Sequence, residues 1–314
     1  MSVAMILLGL LYAAGLALPL WLHSVGLLTW FWALGADGAV LLLFGAQYAS
    51  LDRAALRASG ARFVDREQAP RLHDAVDRLC VLAEVPKPRL AVIDSVVPDA
   101  FATGRVPSRS TIAVTRGLVA KLEPAEIEAV LAHELAHVAN RDGAVMTIAS
   151  FPALSLREAL AGAPLRAWIF GFPFLLLGCL AYVVSTGLML TVSRCREYSA
   201  DRGSAVITGT PEQLMSALQK IAGAMPQIPD DDLRGVAAMS AFFIIPTKLR
   251  SLTHPPLARR LERLAQIARE LGKPDYPAGP AVTVDGARTG NLTVGIATFV
   301  AVFAVVLLLG IVLR

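Results

Sequence analysis

His133-Glu134-Leu135-Ala136-His137 decides how the rest of this chain is read. Histidines four positions apart stand one above the other on a single helix face, so both imidazoles reach one metal ion. The glutamate between them points aside, close enough to take a proton from a water held by that ion. Only 5 histidines occur in 314 residues, which makes a chance H-E-x-x-H rare. The flanks agree: Val130, Leu131, Leu135, Ala136, Val138 and Ala139 are uncharged, as suits a helix buried beneath a metal site. Upstream, Pro124 fits a first helical turn, with Glu126 and Glu128 near its positive end. The helix is therefore predicted to run to about Asn140, with Gly143 as its stop.

Two histidines do not complete a catalytic zinc site, which normally takes three protein ligands and keeps one position open. A histidine six residues after the second would make a metzincin, but that position is Gly143, and Asn140 stands where a glycine is required. No H-x-x-E-H occurs either. What remains is a downstream glutamate on a second helix, and Glu197-Tyr198-Ser199-Ala200-Asp201 fits. Glu197 is then the third ligand, while Asp201, one turn further, hydrogen-bonds the far nitrogen of a ligand histidine and fixes its tautomer. The plainer alternative is a surface Glu and Asp flanked by Arg194, Arg196 and Arg202 at a membrane boundary. Cys195, two residues from Glu197, faces elsewhere on a helix.

Composition sets the surroundings. The chain is 55% hydrophobic and only 17% charged, with net charge +4 and no basic tract, which points to a membrane protein and away from nucleic acid. The apolar residues cluster in four runs: Val3 to Leu22, Val25 to Gln47 (broken by Asp37), Ala167 to Ser193, and Leu292 to Leu313. Each is long enough to cross about 30 Å of hydrocarbon. The first lacks a basic start and is followed at once by the second, so a helical hairpin is the better reading than a cleaved signal. Arg53, Arg57, Arg62, Arg66 and Arg71 follow the hairpin and place the next domain in the cytoplasm. Cys80, Cys179 and Cys195 are scattered without C-x-x-C spacing, as in a reducing compartment. Arginine outnumbers lysine and alanine is abundant, which suggests a GC-rich bacterial genome.

Between the runs, Gln68 to Ala83 reads as a helix, Arg89 to Asp94 and Thr111 to Thr115 as strands, and Pro98 to Gly104 as a turn-rich segment. Arg194 to Gly209 reads as a helix leaving the membrane, and Pro211 to Ala222 as another. Residues 224–246 read as loop, and Pro255 to Gly272 as an amphipathic, arginine-rich helix. The fold expected is mainly α: a multi-span membrane protein with a zincin-like (gluzincin) α+β catalytic domain carrying a small β-sheet. Its parts are a transmembrane hairpin (1–50), the first peptidase part (51–143), a membrane-embedded segment (144–193), the second peptidase part (194–272), a linker (273–291) and a final span (292–314). His133, His137 and Glu197 must share one compartment, so an even number of crossings separates them. The partner of 167–193 is then 144–161, interrupted by Arg157 and Glu158. Otherwise the longer segment is a re-entrant hairpin around Gly178 or Gly187.

Taken together, His133 to His137 followed by Asn140-Arg141-Asp142, then Glu197 to Asp201, then Thr253-His254-Pro255-Pro256, resemble the HtpX-type membrane zinc endopeptidases. These are relatives of the CaaX prenyl endopeptidases and of Oma-type peptidases. The resemblance runs to about residue 272, and three separated motifs occur in the family's order. The final span is not part of the HtpX pattern and suggests a subgroup. The resemblance implies one zinc per chain on His133, His137 and Glu197, with Glu134 as general base. It implies that Asp99 to Gly104 leads into an edge strand, Ala100, Phe101, Ala102, Thr103 and Gly104, against which a substrate peptide pairs. It implies that His254 and Arg260 face the zinc and polarise the oxyanion. The alternative for His254 is a cap on the helix begun by Pro255 and Pro256.

The activity expected is hydrolysis of peptide bonds in misfolded or membrane proteins, under stress, by a chain embedded in the inner (plasma) membrane with its catalytic domain in the cytoplasm. Two other readings remain open at this stage. A sensor protease would need an external sensing domain, and the chain ends one residue after Leu313. A scaffold with a vestigial metal site would have no use for Glu134.

Overall fold

The computed structural model describes residues 2–161, 172–225, 228 and 253–274. The final apolar run, the linker beyond Pro274 and nearly all of the loop expected over 224–246 lie outside the described residues.

Two long helices open the chain, α1 (Ser2–Ser24) and α2 (Trp30–Ala58). After a two-residue strand β1 (Arg62–Phe63) come α3 (Pro70–Ala83), β2 (Arg89–Ile93), β3 (Ala100–Thr103) and β4 (Thr111–Thr115). Helices α4 (Arg116–Lys121), α5 (Pro124–Ala139), α6 (Asp142–Ala161), α7 (Phe172–Thr208), α8 (Pro211–Ala224) and α9 (Leu257–Glu270) complete the described chain. Helix dominates and the sheet is small, as the sequence leads one to expect. Among the described residues, four helices are long and apolar enough to cross a membrane: α1, Trp30–Ser50 of α2, α6, and Leu176–Thr208 of α7.

The sheet order is β1-β2-β4-β3, with β2 and β4 parallel and both outer pairings antiparallel. All five residues of β4 are buried, the pattern of a central strand covered on both faces. The segment Pro98 to Gly104 is not only a turn: Ala100 and Phe101 are buried, and residues 100–103 form an edge strand with Ala100 opposite Val114 and Thr103 opposite Thr111. The Thr115 hydroxyl fixes its start by donating to the Asp99 carbonyl at 2.9 Å and accepting from the Asp99 N–H at 2.9 Å.

α5 is the spine. Residues Ala129 to Ala136 are all buried, packed among α3, the sheet, α7 and α8. Leu131 and Leu135, at most 1% exposed, each contribute about 1.5–3 kcal/mol by leaving water.

Two sequence expectations need correction. Gly143 does not stop α5, which ends at Ala139; Arg141 takes a left-handed φ of 54° and α6 starts at once with Asp142. Gly143 serves a close approach instead, because a Cβ there would lie 2.4 Å from the Gly104 carbonyl oxygen. Nor does a new helix begin at Arg194. α7 is continuous from Phe172 to Thr208, through Gly178 and Gly187, so neither glycine makes a re-entrant turn. The composition changes near Ser193 while the backbone does not.

Candidate metal centre

Three elements bring the candidate ligands together. α5 carries His133 and His137 one turn apart, and α7 crosses it so closely that a Cβ on Gly203 would fall 2.6 Å from the Ala136 Cβ. That crossing delivers Glu197 and Asp201, and α9, begun after Pro255 and Pro256, adds Arg260 from a third side. His133 Nε2 and His137 Nε2 are 3.2 Å apart. Glu197 Oε1 is 3.6 Å from His137 Nε2, and its Oε2 is 3.8 Å from His133 Nε2. All three side chains are nearly out of solvent.

The far nitrogens settle what those near atoms are. His137 Nδ1 lies 2.6 Å from Asp142 Oδ2, and His133 Nδ1 lies 3.1 Å from Asp201 Oδ1. A carboxylate only accepts, so a neutral ring that faces one through Nδ1 favours the Nδ1–H tautomer, which turns a bare lone pair on Nε2 toward the cluster. Two bare lone pairs at 3.2 Å, with a carboxylate beside them, repel one another unless a cation lies between. Ligand atoms held at about 2.0–2.1 Å around a tetrahedral ion are about 3.3 Å apart. The observed separations fit that spacing, so these residues suit a metal.

Around this core the charges are arranged in layers. Arg260, 2% exposed, donates from Nε to Asp201 Oδ2 at 2.9 Å and from Nη2 to Asp201 Oδ1 at 2.6 Å. Its Nη1 is 3.4 Å from Glu197 Oε2, and His254 Nδ1 is 3.2 Å from the same oxygen. Both sequence-selected residues therefore reach the cluster through Glu197, with Arg260 gripping Asp201 as well. Glu134 is buried, with the backbone of Ala102 on the neighbouring strand near its carboxyl. Burial pushes its carboxyl up, reinforced by the charges of Glu197 and Asp99 and opposed by Ala102 and Arg260. Burial pushes the His133 imidazole down, against the pull of Asp201, which favours the neutral ring that a metal needs.

The strand residues Ala100 to Thr103 lie beside α5. The far end of the strand is tied to α2. Asp52 accepts from Thr103 Oγ1 at 3.2 Å and from Arg105 Nε at 2.9 Å, and the Arg105 guanidinium lies over the Tyr48 ring at 4.4 Å. Sequence reasoning assigns Asp142 and Arg196 no part in the site, although Asp142 ends the Asn-Arg-Asp run that carries part of the family resemblance. Arg196 Nε lies 3.1 Å from Asp142 Oδ1. Only the turn at Arg141 brings Asp142 back to His137, and no spacing rule encodes that turn.

Residues 66–268 match Peptidase family M48. The chain belongs to peptidase family M48. It is 45% identical over 264 residues to Protease HtpX homolog 2 of Methanosarcina acetivorans, covering 76% of this chain and 87% of that one. It is 40% identical over 299 residues to Protease HtpX homolog 1 of Streptomyces coelicolor, covering 88% and 94%. Among solved structures it is similar to S. mikatae Ste24p, with 18% identity and a TM-score of 0.43, over 79% of this chain and 66% of that one. The M48 membership, the His-His-Glu cluster and the apolar helices make this chain a membrane metalloprotease.

Proposed function

We propose that this M48 member is a zinc-dependent endopeptidase that cuts misfolded or surplus membrane proteins. One observation carries the reading: the two Nε2 atoms lie 3.2 Å apart, and the Glu197 carboxylate reaches one with Oε1 at 3.6 Å and the other with Oε2 at 3.8 Å, beside a buried glutamate. His133, His137 and Glu197 hold one zinc per chain; two imidazoles and a carboxylate are the donor set of catalytic rather than structural zinc. When bound, zinc supplies Lewis acidity and lowers the pKa of water toward neutrality.

The chain's own residues do the rest. Glu134 takes the proton of the attacking water and later gives it to the leaving amine. Its helix packs beside the strand Ala100 to Gly104, against which the substrate backbone adds. Arg260, occupied with Asp201 and Glu197, orients those two carboxylates. His254, which meets Glu197 Oε2 through Nδ1 at 3.2 Å, balances negative charge on the oxyanion. Asp201 holds the His133 tautomer.

Arg53, Arg57, Arg62, Arg66 and Arg71, in the last turns of α2 and beyond it, support a cytoplasmic peptidase domain, and the membrane is read as the inner (plasma) membrane of a bacterial cell. α6 and the apolar part of α7 then cross as a pair and return Glu197 to the side of the histidines. Substrates are accordingly protein segments exposed at the cytoplasmic face, and the surrounding partner is the lipid bilayer.

Glu134→Gln tests the mechanism in the full-length protein. Casein cleavage and self-cleavage should vanish while zinc content stays at one per chain. Cleavage that persists in this variant rules out Glu134 as the base.

A further inference from the structure

We propose that Asp142 and Arg196 are positioning residues for His137, and that they make metal affinity depend on the junction of the two membrane helices α6 and α7. The proposal rests on the zinc reading above and gives a role to Asp142, which the resemblance includes without one, and to Arg196.

The geometry is that of a relay. His137 Nδ1 meets Asp142 Oδ2 at 2.6 Å, and the other oxygen of the same carboxylate meets Arg196 Nε at 3.1 Å. The Asp142 and Arg196 side chains are 5% and 14% exposed, so neither is a solvated surface charge. Asp142 is the first residue of α6, and an acidic residue there suits the helix dipole. That alone does not account for its contacts, because one of its oxygens goes to the imidazole and the other to the guanidinium.

The backbone is shaped around this contact. Five residues beyond His137 on an uninterrupted helix, Asp142 would sit well over a full turn away and rotated off the histidine's face. Arg141, at φ 54°, breaks α5 and swings Asp142 back to Nδ1. Arg141 carries a side chain in a region such residues rarely occupy, so the turn costs about 1–3 kcal/mol that surrounding contacts must offset. Gly143 follows because the same turn drives the chain against the Gly104 carbonyl.

The two ligand histidines thus receive matched support from different places. His133 is held by Asp201 and Arg260, the arginine coming from α9. His137 is held by Asp142 at the start of α6 and Arg196 on α7. The second set exists only while the aqueous ends of α6 and α7 stay packed together. A shift between these helices would therefore reach the imidazole through a single carboxylate.

The test uses the full-length chain in detergent, with zinc affinity measured by competition against a chromophoric chelator and melting of the zinc-free protein followed in parallel. Asp142→Ala should weaken zinc binding about 10- to 100-fold, the range typical for groups that support a metal-ligating histidine. Asp142→Asn, which keeps an acceptor for Nδ1–H, should lose less. A merely structural ion pair would lower the zinc-free melting temperature and leave the affinity of the folded protein alone. Wild-type affinity in Asp142→Ala, with affinity lost in Glu197→Ala, overturns this proposal and spares the metal site. Unchanged affinity in Glu197→Ala overturns the metal site itself. Should Asp142→Ala fail to fold, Arg196→Met decides: weakened zinc binding upholds the relay, and wild-type affinity refutes it.

Discussion

The peptidase domain and the helical bundle solve opposite problems. In the domain, Glu126, His133, Glu134, Asp142, Glu197, Asp201 and Arg260 are each no more than 5% exposed, so its interior is crowded with charge. In the bundle, the buried cluster is Ala4, Leu8, Ala149 and Val192, while Trp21, Phe31 and Leu42 are 57%, 76% and 74% exposed. Water drives the domain together, and every buried charge must then find a partner. Lipid is as apolar as a neighbouring leucine, so the bundle gains little by burying its large side chains and leaves them facing outward. The domain therefore depends on electrostatic pairing and the bundle on close contact. The metal cluster lies where they meet, with ligands and supports drawn from both.

The sharpest break of this contrast is Arg260→Met. Methionine nearly fills the space of the arginine stem but leaves Asp201 and Glu197 buried without their guanidinium. Removing one partner from a buried ionic cluster costs about 3–5 kcal/mol. A thermal melt of the zinc-free protein should show a larger loss than either Glu126→Gln or Tyr12→Phe produces. A loss below about 1 kcal/mol would mean that the interior tolerates its charges without pairing.

The same contrast explains what the sequence reveals. His133, Glu134 and His137 are legible because one helix turn fixes their relation. Glu197 and Asp201 are legible for the same reason, once a third ligand is required. A helix boundary at Arg194 is misplaced because composition reports the edge of the bilayer, whereas α7 continues from lipid into the peptidase domain without interruption. β1, two exposed residues long, carries no alternation to be seen. The role of Asp142 is invisible because its place depends on one left-handed residue, Arg141, that propensity does not foretell.

A milder test addresses a charge pairing of the domain away from the metal. Glu126 on α5 accepts from the Glu123 N–H at 2.8 Å and from Ser216 Oγ at 2.6 Å, and meets Lys220 Nζ at 2.7 Å, which clips α5 to α8. Burial alone would push this carboxyl up; Lys220, Ser216 and the Glu123 N–H outweigh it and hold it below the usual range. A depressed folded value means stability that is present above the unfolded pKa of about 4.3 and lost as pH falls through the folded one. Glu126→Gln should cost about 1.5–3 kcal/mol at neutral pH, the scale of a hydrogen bond to a charged group. It should also flatten the acid side of the stability profile, read from melts across a window set about the ordinary carboxylate value of about 4.3 and reaching neutral pH. A profile parallel to wild type would place the acid sensitivity elsewhere.

In the bundle the corresponding polar contact is the Tyr12 hydroxyl, which donates to the Ile148 carbonyl at 2.7 Å and joins α1 to α6. Its ring stacks on Phe151 at 6.2 Å and meets Phe44 edge-on at 6.3 Å. Tyr12→Phe removes the hydroxyl and keeps those aromatic contacts. Helix-to-helix hydrogen bonds within membranes average about 0.6 kcal/mol, because the chain finds other partners when this one is lost. The melting temperature should therefore barely move, and zinc affinity should not move at all. A loss approaching that of Arg260→Met would show the bundle to be held by polar contacts after all, and the distinction between the two regions would dissolve.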